Sequence, residues 1–253
     1  MMSYPILEFD PTSEAMIEPS KVIKPRDMPR HCVVCFFMEV IKKVVKEHDT
    51  AMLVENRWED GPHPVYEISR MGKRLAFFHP GVGASQTAAT LEEVIAFGCD
   101  KFIACGGCGV LAKDIAVGRL IVVDSAIRDE GVSYHYLPPS REIQANGVAL
   151  KSIVDVMSAR GVPHLIGKTW TTDAPYRETA GKVARRREEG CLAVEMEAAG
   201  MMAVAQHRQV TFGQVLYGGD DLSGAEWDRR QWQSATEVRE QLFWLCADAV
   251  LSL

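Results

Sequence analysis

Glu195 and Glu197 bracket Met196 in the stretch Val194-Glu195-Met196-Glu197-Ala198-Ala199-Gly200, which follows a short apolar run and opens an Ala/Met-rich segment of helical composition. A carboxylate in a first helical turn is favoured by the helix dipole, and that accounts for one of the two glutamates. It leaves a second acidic motif unexplained. Gly218-Gly219-Asp220-Asp221 closes the next apolar run, over 210–217. In α/β sheets ligands collect at the carboxyl ends of strands, so two acidic sites at successive strand ends suggest the rim of an active site.

Four other segments carry candidate chemistry. Gly81-Val82-Gly83-Ala84-Ser85 stands between a strand-like run and a helix, where its amides could face an anion or a sugar. It is not a dinucleotide fingerprint, because Gln86 stands where the third glycine belongs. Cys105-Gly106-Gly107-Cys108-Gly109 follows another strand-like run; its glycines would let a ligand approach the backbone, although a tight turn explains them equally. Arg128-Asp129-Glu130-Gly131-Val132-Ser133-Tyr134-His135-Tyr136 and Thr171-Thr172-Asp173-Ala174-Pro175-Tyr176-Arg177 suit a pocket wall and a plain loop about equally. Asp173 could instead cap the next helix.

The elements that must position these residues alternate along the chain. Apolar runs predict strands over 32–37, 101–105, 120–127, 165–171, 191–194 and 210–216, and a hairpin of 65–69 with 75–79 turning at Met71-Gly72-Lys73. Helical spacing predicts helices over 38–48, 84–98, 141–160, 177–189, 197–208 and 228–250. Residues 1–30, with Pro5, Pro11, Pro19, Pro25 and Pro29, read as an irregular N-terminal arm, and 31–253 as one domain. Strands alternating with helices indicate a single-domain, three-layer α/β/α fold with a mixed, mostly parallel central sheet.

Composition narrows the function. The 253 residues are 47% hydrophobic and 25% charged, enough for one large core. A net charge of −6 argues against a nucleic-acid binder or a ligand of acidic membranes. No apolar run approaches the ~20 residues that span a bilayer, and residues 1–16 carry Glu8, Asp10 and Glu14 without an apolar secretory core, so a cytoplasmic protein is expected. Cys32–Cys35 and Cys105–Cys108 have the two-residue gap of zinc or redox pairs. On a strand, however, Cys32 and Cys35 diverge, so buried, reduced thiols and no metal are expected.

The order of the glycine loop, the GGCG loop, RDEG-SYHY, TTDAPYRET, VEMEAAG and GGDD resembles the nucleoside phosphorylase superfamily, from about Cys32 to the C-terminus. That group holds purine nucleoside phosphorylases, uridine phosphorylases and methylthioadenosine-type nucleosidases. VEMEAAG with its downstream aspartate is the specific part, and RDEG-SYHY and PYRET lean toward the phosphorylases. The resemblance implies cleavage of a nucleoside C1′–N bond through an oxocarbenium-like sugar. Asp220, with Asp221 as the second choice, would protonate the leaving base, and Glu197 would accept hydrogen bonds from the ribose hydroxyls. Met196 would pack on the sugar, with Val194 and Glu195 bordering the base. Tyr176, Arg177, Gly83, Gly106, Gly107 and His135 are the further candidate substrate contacts. Nucleoside and phosphate would be the only small-molecule partners, with no cofactor and a homo-oligomer, dimer or hexamer, as the working form.

The departures from the family pattern bear on the nucleophile. Ala104 stands where phosphorolytic members usually carry an arginine, Gly107 replaces a hydroxyl residue, and Phe36 and Val40 occupy the usual Gly and Arg positions of the first loop. Residual anion binding would fall to loop amides or to Arg26, Arg30 or Arg57. Phosphorolysis is the first reading. Hydrolysis by a trio of Glu39, Glu197 and Asp220 is the alternative, with a non-catalytic nucleoside-binding protein as the third.

Overall fold

The structure is a computed structural model that describes residues 4–232 and 236–253. Among the described residues there are ten strands: β1 (His31–Cys35), β2 (Thr50–Trp58), β3 (Gly61–Arg70), β4 (Lys73–Phe78), β5 (Lys101–Val110), β6 (Leu120–Asp129), β7 (Glu142–Gln144), β8 (His164–Thr172), β9 (Cys191–Glu195) and β10 (Thr211–Asp221). The helices are α1 (Pro19–Val22), α2 (Met38–Glu47), α3 (Ala84–Phe97), α4 (Ser133–Tyr136), α5 (Gly147–Ala159), α6 (Ala180–Glu188), α7 (Ala198–Arg208) and α8 (Thr236–Val250).

All ten strands form one mixed sheet, ordered β10-β6-β8-β9-β5-β1-β4-β3-β2, with β7 on β6. A further β10–β5 pairing closes β5, β9, β8, β6 and β10 into a ring, from which the hairpin arm β1-β4-β3-β2 extends. The pairings β1–β4, β1–β5, β5–β10, β6–β8 and β8–β9 are parallel, so the strands that carry the acidic motifs lie alongside parallel neighbours. Alternation along each strand sends side chains to two cores. Cys32, Val34, Ala104, Cys108 and Leu216 pack with α3 and α7, while Val33, Cys35, Cys105, Val215 and Tyr217 pack with α2, α5 and α8. Cys32 and Cys35 therefore face opposite layers, as do Cys105 and Cys108. All seven cysteines are buried and free. No helix among the described residues is long and apolar enough to cross a membrane.

Local chemistry moves several element boundaries. The helix expected over 141–160 is divided: Glu142–Gln144 pairs with β6, and α5 begins only after Asn146, whose side-chain oxygen accepts from the Val148 and Ala149 amides at 3.0 and 3.1 Å. An N-cap of this kind outweighs helical spacing upstream of it. Likewise Thr179 caps α6, with Pro175–Arg177 as a 3₁₀ turn before it, so the helix expected from 177 starts at Ala180. Asp173 caps nothing there; its carboxylate accepts from the Gly131 amide at 2.8 Å. Of the helix expected over 228–250, residues 228–232 form a bridge and turn, 233–235 lie outside the described residues, and α8 is the remainder. The edge strand β2 leaves no periodic signal in the sequence, because only Val54 of its nine residues is buried and an edge strand of that kind carries no apolar alternation.

Candidate active site

A cavity of about 490 Å³ opens at the carboxyl ends of β5, β9 and β10. It brings together Val194, Glu195, Met196, Glu197, Gly106, Gly107 and Asp220. Sequence and local structure explain this convergence. Residues 106–109, expected as a loop after a strand, belong to the second half of β5 instead; β9 and β10 flank them, with Val194 paired to Gly109 and Tyr217 to Gly107, so both acidic motifs end beside these glycines.

Glu195 and Glu197 stand in different surroundings. Glu195 is buried; it accepts from the Glu197 and Ala198 amides, each at 2.7 Å, and from the Thr171 hydroxyl at 2.6 Å. It satisfies the first amides of α7 and thereby locks the VEMEAAG turn. Glu197 is also buried but accepts within the protein from the Gly83 amide at 2.7 Å. Burial pushes both carboxyls above the ordinary range, Glu195 to about 7 and Glu197 to about 8, the latter also through the charge of Glu195. Three donors favour the ionised form of Glu195, so the proton of this pair resides on Glu197.

At the other end of the cavity, Asp220 accepts from the Trp227 indole N–H at 2.6 Å. Asp221 does not reach the cavity. Its carboxylate binds Arg230 and the Ser223 amide, the latter at 2.7 Å, which holds the following loop in place. Glu178 lines the cavity near Asp220, and burial together with the charge of Asp220 pushes its carboxyl up to about 7. Nothing in the sequence pattern singles out Glu178, although it follows directly on Pro175-Tyr176-Arg177 as the C-cap of that 3₁₀ turn.

Several expected contacts lie elsewhere. Tyr176 is 99% exposed, and neither it nor Arg177 lines the cavity, because the 3₁₀ turn directs Pro175 and Glu178 inward. The amides of the first glycine loop are already engaged: Gly81 donates to His79 Nδ1, Val82 to Gln86 Oε1, and Gly83 to Glu197. Gly83 thus contributes through Glu197 and not as a free anion donor. Arg128–Tyr136 is internally tied. The Arg128 guanidinium donates to Ser133, Ser140 and the Pro138 carbonyl, and Glu130 accepts from the Val132 and Ser133 amides. Its exposed His135 borders a second cavity, of about 780 Å³, walled by the N-terminal arm.

The end of the cavity where an anion would be held is largely apolar. Ala104 and Val40 are buried in the core, the Phe36 ring stands over Gly106, and the Tyr217 ring stands over Gly107, where a Cβ would lie 3.1 Å from it. Arg30 pairs with Asp100 and Arg57 with Glu55, and Arg26 lies against Phe97; none of the three lines the cavity. The cation that does line it among the described residues is Arg239 of α8. Arg239 donates to the Tyr217 hydroxyl at 2.9 Å and to Glu39 at 2.5 Å, and the rings of Phe37, Tyr217 and Trp232 surround it. Glu39 itself stays half-exposed outside the cavity. Also at the floor is Gln214, 1% exposed, whose amide has no partner on either atom. Among the described residues, no cluster of three or more His, Cys, Asp or Glu side chains is arranged to hold a metal ion.

The family model of the phosphorylase superfamily matches residues 30–252. Among curated proteins, the chain is 26% identical over 210 residues to a guanosine phosphorylase of Halorubrum lacusprofundi, covering 81% of this chain and 86% of that protein. It is 30% identical over 182 residues to a DeoD-type purine nucleoside phosphorylase of Colwellia psychrerythraea, covering 70% and 74%. Among solved structures, a uridine phosphorylase from Vibrio fischeri superposes with a TM-score of 0.77 at 19% identity, covering 93% of this chain and 98% of the other. An AMP nucleosidase from Bacteroides thetaiotaomicron superposes with a TM-score of 0.71 at 20% identity, covering 89% of each chain. At such identities the two structures speak for the shared fold.

Proposed function

The chain belongs to the phosphorylase superfamily, and from that premise we propose that it is a nucleoside phosphorylase, cleaving the N-glycosidic bond of a purine or pyrimidine nucleoside with phosphate to give free base and ribose 1-phosphate. The observation that carries this reading is the pairing of Glu197 and Asp220 across one cavity, with Met196 beside Glu197. As the C1′–N bond breaks, its electron pair stays with the base. Asp220 supplies the proton or hydrogen bond that makes the base a stable leaving group. Glu197 accepts from the ribose hydroxyls and, once ionised, lies beside the sugar on which positive charge develops. Phosphate oxygen then closes on C1′. No metal or organic cofactor has a part in this sequence.

Hydrolysis is a second reading, favoured by the apolar anion end of the cavity, where Phe36 covers Gly106 and Arg239 is already held by Glu39 and Tyr217. We place the protein in the cytoplasm, where seven unpaired thiols stay reduced. A homo-oligomer, dimer or hexamer, is supported by the exposed apolar side chains of Met16, Ile17, Val22 and Trp58 around the arm cavity.

The test is chromatography of adenosine, inosine, guanosine, uridine, thymidine and methylthioadenosine after incubation with the protein, with and without phosphate. Base release that needs phosphate and yields ribose 1-phosphate is the expected result. Phosphate-independent release would establish the hydrolase, and binding without release would overturn both.

A further inference from the structure

A buried amide with no hydrogen-bond partner has lost its water without compensation, so its persistence calls for an explanation. Gln214 is such a group. It sits mid-strand in β10, in register with Ala104 of β5, which is itself in register with Val34 of β1. The residues around it on the cavity floor are Phe36, Gly106 and Leu216, which offer no side-chain hydrogen bond. Its neighbours along the strand, Phe212 and Leu216, face the same core and are apolar, as the alternation of a buried strand requires. A leucine or methionine would complete that core; a glutamine there leaves both Oε1 and Nε2 unsatisfied at the wall of the cavity.

We propose that Gln214 holds the oxygen nucleophile on the cavity floor, its Nε2–H donating to an oxygen of that nucleophile and its Oε1 accepting an O–H. The inference rests on the reading above that this cavity breaks an N-glycosidic bond. An amide that offers one donor and one acceptor fits a species carrying both an acceptor oxygen and an O–H, which means hydrogenphosphate or water. It does so without charge, directly beside Ala104 of the adjacent strand. With hydrogenphosphate the step balances without further help: an ionised oxygen forms the C1′–O bond, the C1′–N pair leaves with the base, and Asp220 provides the base's proton. Water must also release a proton. An amide cannot take it, so Glu197, which lines the same cavity, is the acceptor in that case.

The test uses the full-length protein with Gln214→Met and Gln214→Glu, assayed on the nucleoside that the wild type cleaves, with inorganic phosphate varied from zero. Gln214→Met keeps the length of the side chain and removes both polar atoms. If phosphate is the nucleophile, its KM should rise about tenfold or more, because the lost bond is made to a charged group; the nucleoside KM should stay within about twofold. If water is the nucleophile, kcat should fall by a similar factor at unchanged nucleoside KM. In either case Tm should hold or rise, since an unsatisfied buried amide has been replaced by apolar atoms. Gln214→Glu separates the two sources: a carboxylate repels hydrogenphosphate and abolishes phosphorolysis, whereas it can accept a proton from water and sustain hydrolysis. Unchanged kinetics in Gln214→Met, or a lowered Tm with both KM values moved together, would overturn the proposal. Absence of turnover in the wild type on every nucleoside would instead remove the functional reading on which it rests.

Discussion

Burial and the neighbouring charge of Glu195 push the Glu197 carboxyl up to about 8, against the Gly83 amide, whose hydrogen bond favours the ionised form. Ribose hydroxyls donate to a carboxylate, so if Glu197 anchors the sugar as proposed, nucleoside binding must release the carboxyl's proton. Affinity for a non-cleaved nucleoside analogue should therefore rise as pH is raised from 6.5 through about 8, and calorimetry in buffers of different ionisation enthalpy should record proton release. An affinity that is flat or falls over this window would argue against Glu197 as the sugar anchor. Glu197→Gln cannot ionise, and it should lower kcat/KM by about a hundredfold or more while leaving Tm unchanged or raised, because it removes a carboxyl that burial disfavours. Full activity in this variant would dismiss the role. Glu195 is different in kind: with three donors on its two oxygens it builds the turn that Glu197 depends on.

The cavity depends on how two helices begin. Gly83 precedes α3 with a φ of 89°, a left-handed conformation that suits glycine, and this turns its N–H toward Glu197 at the start of α7. The two helices come close at Gly200, where a Cβ would lie 3.2 Å from the Ala84 Cβ. Gly200 therefore sets the spacing of the helix starts, although it touches no part of the cavity itself. Gly200→Val should cost about 1–3 kcal/mol by overpacking, and it should also lengthen or break the Gly83–Glu197 bond. The expected outcome is a lower Tm accompanied by a weakened sugar affinity, read from the nucleoside KM. A stability loss with unchanged KM would show that the crossing does not govern the site. The strand side of the site is held differently: Asp221, bound to Arg230 and the Ser223 amide, anchors the loop that presents Trp227 to Asp220.

For the molecule as a whole, three cavity carboxyls, Glu178, Glu195 and Glu197, have their pKa values raised to about 7, 7 and 8 from an ordinary 4.5. A carboxyl raised on folding stabilises the protein fully below its unfolded pKa, and that contribution is lost as pH rises through the folded value. His31 and His79 are lowered by burial and work in the opposite sense, but only below about pH 6.5, where the unfolded chain takes up their protons. Tm should therefore decline between about pH 6.5 and 8.5 in the ligand-free protein; a Tm that climbs over that range would contradict the burial of these groups. Much of this molecule was legible from its residues alone. Apolar runs and helical spacing report local burial, so the strands 32–37 and 191–194 and the helices 84–98 and 197–208 were recognisable within a few residues, whereas the glycines of 106–109 hid the second half of β5. VEMEAAG and GGDD could be singled out because their acidic residues interrupt apolar runs at strand ends. The ring closure of β5 with β10, the retreat of Tyr176 and Arg177 from the cavity, and the selection of Glu178, Arg239 and Gln214 to line it were decided only in three dimensions. Each depends on which distant segment fills the space beside a residue, and periodicity along one chain holds no record of that neighbour.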